Sequence, residues 1–117
     1  MDQNQNMPWL LLFLAGLFEI GWAVGMKYTN GFTRPLPTAL TVLAMAISVI
    51  LLTQAVRVLP LGTAYAVWTG IGAVGTALLG MLLFNEPRDA ARLLCLAMIV
   101  LGIVGLKFFG SAQPVSP

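Results

Sequence analysis

One acid stands where its surroundings are otherwise apolar. Glu19 lies in the middle of the run WLLLFLAGLFEIGWAVGMKY, and at 1.5 Å of helix rise per residue it is about 15 Å from either end of that run. A glutamate side chain is too short to reach the surface of a bilayer from there. Placing a charge at the bilayer centre costs at least ~2.5 kcal/mol on insertion scales, so an intramembrane acid points to function by default. A carboxyl group in that position can hold a proton, or release it and accept a cation. Taking either but not both is the minimal machinery of an antiporter. The structural alternative is a protonated glutamate that only hydrogen-bonds to a neighbouring helix.

Polar and aromatic residues recur at helical spacing around it. Trp22 follows Glu19 by three positions and shares its helix face. Its indole offers one N–H donor and a π-face for a cation, and it lies deeper than a residue of the interfacial aromatic belt would. Ser48 falls near the middle of the second apolar run, where a serine either serves a site or bonds back to its own helix. Tyr65 and Trp68 form another i, i+3 pair near the start of the third run. They read either as site residues or, for Tyr65, as part of an interfacial belt. Gly70, Gly72, Gly75 and Gly80 follow on the same run; the Gly70–Gly72 pair reads as a hinge, as close helix packing, or as both.

These residues need a membrane scaffold, and composition supplies it. Of 117 residues, 59% are hydrophobic and only 9% charged, against about 25% charged in a soluble domain. Mean hydropathy is +0.92. A soluble enzyme and a disordered segment are excluded, and a net charge of +2 is too small for a nucleic-acid binder. With no histidine and a single cysteine, Cys95, no metal cluster, cofactor or intrachain disulfide is expected.

The fold expected is an all-α membrane protein made of a single transporter domain over residues 1–117. Four spans, at about 9–28, 36–56, 61–84 and 90–109, reach the roughly 20 apolar residues that a crossing requires. The connections Thr29–Pro35, Arg57–Pro60 and Asn85–Asp89 carry proline or glycine beside charge, which stops one helix and starts the next. Such short connections make neighbouring helices antiparallel. Runs such as ALTVLAMAISVILL are apolar all round and do not alternate as barrel strands do. Residues 1–7 are polar and lack the basic start of a signal peptide, and residues 111–117 read as a frayed tail.

Four spans put both termini on one side. Lys27, Arg34, Arg88 and Arg92 lie at the other side, with Arg57 and Lys107 at the terminal side. That bias is weak. Read literally it places both termini outside; read as near-balance it allows insertion both ways. No internal repeat is evident, so inverted symmetry would come from a second copy of the chain.

Three strings, AGLFEIGWAVGMKYTNGFTR, LPLGTAYAVWTGIGAVGTALLG and MIVLGIVGLK, carry a wider likeness. Over about residues 8–109 the sequence resembles the small multidrug resistance family of four-helix bacterial exporters, and within it the guanidinium-exporting subtype. The tryptophan three residues after the glutamate discriminates, because drug exporters of the family usually have a small residue there. The resemblance implies an antiparallel, dual-topology homodimer in the inner membrane that exchanges guanidinium for protons. It implies that Glu19 from both copies forms the proton and substrate site, lined by Trp22, Ser48, Tyr65 and Trp68. It assigns Gly70 and Gly72 to a bend in the third helix and Gly102 to dimer packing in the fourth. Cys95 stands where drug-exporting relatives have glycine.

The chemistry fits such a site. Guanidinium is planar and weakly hydrated, and its N–H groups match carboxylate geometry bidentately. Ser48 and Trp22 are expected to orient the carboxylates, and Tyr65 to gate the site or bond to a carboxylate. The expected partners are a small guanidinium cation, protons, lipid and a second copy of the chain. The competing readings are a broader exporter of quaternary ammonium drugs and a non-transporting accessory membrane subunit.

Overall fold

A computed structural model describes residues 2–110 as four helices: α1 (Asp2–Tyr28), α2 (Pro35–Ala55), α3 (Leu61–Leu83) and α4 (Ala90–Gly110). There is no strand among the described residues. The expected tail at 111–117 lies outside them. All four helices are long and apolar enough to cross a bilayer. α1 begins at Asp2, well before the apolar run, and continues through Pro8. Apolarity marks where a membrane could begin; it does not mark where backbone hydrogen bonding starts.

The helix ends follow from local chemistry. The turn after α1 is built on Thr29, whose hydroxyl donates to the Met26 carbonyl at 2.8 Å and accepts from the Phe32 N–H at 3.1 Å. Asn30, Gly31 and Phe32 all take positive φ there. Arg34 is extended, as a residue before proline must be, and Pro35 opens α2, where its missing N–H costs nothing. At the same end of the molecule, where Lys27 lies over the Phe84 ring, Asn85, with φ of 56°, turns the chain sharply out of α3. This folds the Glu86 N–H back to the Gly80 carbonyl at 3.2 Å.

α1 is the central helix, packed against both α2 and α3, whereas α4 packs its backbone against α3 alone. The core is small-residue packing around Leu12 and Ala15 of α1 and Ala64, Val67 and Trp68 of α3. Ile71 fills the space over Gly16, and Ile20 fills the space over Gly75, so that α1 and α3 interlock in both directions. The body measures 44 × 36 × 21 Å, which in its thin direction is about two helix diameters. None of the most apolar window of α4 is buried, and Leu94, Met98 and Leu101 point outward. A single copy therefore leaves one whole helix nearly bare.

Candidate functional site

The interlock of α1 with α3 fixes Glu19. Ile20 sits over Gly75, and the adjacent Glu19 side chain lies directly on Gly72, where a Cβ atom would overlap its carboxyl group. Only a residue without a side chain admits the carboxyl there. The Glu19 atom Oε1 is buried and has no hydrogen-bond partner among the described residues. A buried polar oxygen in that condition calls for an explanation, and a transient ligand is one.

One turn earlier on α1, a chain of hydrogen bonds ties three helices together. Trp68 Nε1 of α3 donates to Ser48 Oγ at 2.9 Å, and Ser48 Oγ of α2 donates to the Ala15 carbonyl at 2.6 Å. Ser48 is completely buried. Ala15 precedes Glu19 by four residues, so its carbonyl is also the helical acceptor for the Glu19 N–H. Within one copy the single Ser48 proton goes to the Ala15 carbonyl and not to the carboxyl. Ser48 holds instead the backbone on which Glu19 is mounted. The Tyr65 ring lies 5.4 Å from that of Trp68, centroid to centroid, tilted by 53°. Tyr65 itself is 54% exposed.

The other expected residues fall into separate places. Trp22 shares α1 with Glu19, and its indole Nε1 is buried without a partner among the described residues. α3 runs unbroken through Gly70 and Gly72. Gly70 is a packing glycine against α4, where a Cβ would press on Ile103 and Ile99. Gly102 has nothing within 4 Å of where a Cβ would stand, as expected of a residue on the open side of α4.

Glu19 and Gly72 line a cleft of about 420 Å³ between α1, α3 and the start of α4. Ser48, Trp22, Tyr65 and Trp68 are not among its lining residues. Thr76 is, and its hydroxyl is buried without a partner among the described residues. At the mouth are Lys27, Phe84, Glu86 and Arg92. The Lys27 ammonium lies 5.5 Å from the centroid of the Phe84 ring, and Arg92 Nη2 bonds to Glu86 Oε1 at 3.0 Å. Sequence reasoning left Glu86 and Arg92 as loop and helix-end charges. Their spacing of six residues across the α4 start was the available signal, but only the turn at Asn85 shows that it brings them together over the cleft.

Four crossing-length apolar helices, with one carboxyl in the middle of α1, define a small multi-span membrane protein. The chain belongs to the small multidrug resistance family: residues 7–99 match the family described as Small Multidrug Resistance protein. It is 59% identical over 101 residues to a guanidinium exporter of Proteus vulgaris, covering 86% of this chain and 97% of that protein. It is 57% identical over 101 residues to the guanidinium exporter of Citrobacter freundii, covering 86% of this chain and 96% of that protein. The guanidinium exporter of Klebsiella oxytoca is similar to the same degree, 57% over 101 residues.

Proposed function

We propose that this protein is a multi-pass inner-membrane exporter that moves guanidinium out of the cell in exchange for protons, with Glu19 as the group that both cations share. The observation that carries this reading is the Glu19 carboxyl, deep in a helix of crossing length, seated on Gly72 with a buried oxygen that nothing among the described residues satisfies. The high identity to guanidinium exporters supports the choice of cation.

Two copies in antiparallel arrangement form the working unit, as one domain per chain. The bare α4, with Gly102 on its open surface, supplies the packing face between them. Two Glu19 carboxylates then face a common space. Guanidinium presents N–H pairs to both, and the planar donor fork selects it over rounded cations. The unpartnered Trp22 N–H serves as a donor to a carboxylate in that space. Ser48 and Trp68 hold the backbone beneath Glu19, and the exposed Tyr65 closes over the site from one side. The two carboxyls titrate as a coupled pair. A protonated pair has no charge to offer guanidinium, so protons entering down their gradient expel it. The two end states of an antiparallel pair are the same structure seen from opposite sides. Interconversion needs only a bend in α3, which Gly70 and Gly72 permit.

The test is exchange by purified protein in liposomes, read with an internal pH dye. External guanidinium should drive proton movement in the native protein and none in Glu19→Gln. Equal proton movement in the two would overturn the proposal.

A further inference from the structure

The cleft that ends at Glu19 has a second carboxylate at its mouth, and a guanidinium group already rests on it. Glu86 is held in place three ways. Its N–H returns to the Gly80 carbonyl at 3.2 Å. Its carboxylate lies on Gly80, where a Cβ would overlap it. Its Oε1 accepts from Arg92 Nη2 at 3.0 Å. Among the lining residues Glu19 and Glu86 are the only two acids. They rest on glycines of the same α3 face, Gly72 and Gly80, eight residues or about 12 Å apart along the helix. The Thr76 hydroxyl, without a partner among the described residues, lies between them.

We propose that Glu86 is an entry and exit station for guanidinium, from which the substrate displaces the tethered guanidinium of Arg92 on its way to or from Glu19. This rests on the guanidinium reading above. The Glu86–Arg92 pair uses one nitrogen and one oxygen, whereas a free guanidinium can present two parallel N–H groups to the same carboxylate. The side chains of Arg92 and Glu86 are 34% and 37% exposed, so the pair is screened and exchangeable. The other cation at the mouth, Lys27, lies over the Phe84 ring, within cation–π range. Thr76 offers a hydroxyl acceptor midway. Arg92 therefore acts as a built-in competitor. It keeps the mouth from being a bare negative trap and sets how much guanidinium is needed to load it.

The experiment measures the guanidinium KM and maximal rate of exchange in liposomes at low ionic strength, for the native protein, Glu86→Gln and Arg92→Gln. Removing the station should raise KM about threefold, the scale of one exposed charge pair, with maximal rate within twofold. Removing the competitor should lower KM about twofold by the same argument. Both effects should shrink at high salt. A merely structural ion pair moves the two variants the same way, and that result, or an unchanged KM in either folded variant, would overturn the station. If Glu86→Gln does not assemble, Arg92→Gln still decides by the sign of its change. Native protein that ignores guanidinium would instead overturn the reading beneath it.

Discussion

The two ends of the cleft hold the same chemical group in opposite circumstances. At the inner end Glu19 lies on Gly72, deep in α1, with a buried oxygen that has no partner among the described residues. At the outer end Glu86 lies on Gly80, partly exposed, and is paired with Arg92. The seats are alike: a bare stretch of α3 backbone against which a carboxyl can lie flat. The difference is what each carboxyl has been given. An unpaired inner acid must find its counter-ion among mobile species, which suits it to alternate between a proton and a cation. A paired outer acid already has a cation, and an incoming guanidinium must displace it. Location sets the cost of leaving a carboxylate empty, and that cost distinguishes the proposed coupling site from the proposed staging site.

One substitution made at both seats sharpens the contrast. Gly72→Ala pushes a Cβ into the Glu19 carboxyl and should cut guanidinium exchange about tenfold or more, because displacement of a positioned group by a fraction of an ångström is expensive. Gly80→Ala pushes a Cβ into the Glu86 carboxylate and should change exchange by only about two- to threefold, mostly in KM. Equal losses at the two positions would break the distinction. Acidity provides a second separation. At lower pH on the loading side, protons compete for Glu19, so the guanidinium KM should rise while the maximal rate with guanidinium saturating is kept. That is measurable as double-reciprocal rate plots at different pH that converge on one rate intercept.

The support beneath the inner acid can be tested by stability alone. Ser48→Ala removes the acceptor of Trp68 Nε1 and leaves that buried N–H unpaired. The expected loss is about 1–3 kcal/mol, seen as a lower melting temperature in detergent. Glu86→Gln, at the exposed end, should shift it by less than about 1 kcal/mol. The smallest effect is expected at Gly102. An alanine there meets nothing within 4 Å in a single copy, so the helices should be unaffected, and any change should appear only in the fraction of paired chains on cross-linking.

Most of the helical layout could be read from the sequence because membrane helices are written in apolar length and proline-glycine punctuation. The four helices and the turn after Tyr28 follow from that grammar, with α2 starting at Pro35, one residue before the apolar run at 36. Glu19 was legible for a simple reason: no other charge lies so far from a helix end. What could not be read was pairing across helices. Nothing in the spacing of Ala15, Ser48 and Trp68 says that they form one hydrogen-bonded chain. The glycines of α3 read as a hinge or as packing, yet Gly72 and Gly80 turn out to be seats for two acids, a role fixed by side chains distant in sequence. Glu86 and Arg92 were legible only as solvated charges, since the left-handed turn at Asn85 that folds them over the cleft depends on one backbone angle.

The central claim is that one internal carboxyl accepts a proton or guanidinium in turn. The direct measurement is proton release on binding. Guanidinium is added to purified protein in weakly buffered solution at a pH where the site is protonated. The account predicts that binding acidifies the solution in the native protein and that Glu19→Gln releases nothing. Guanidinium that binds the native protein without freeing a proton would contradict it.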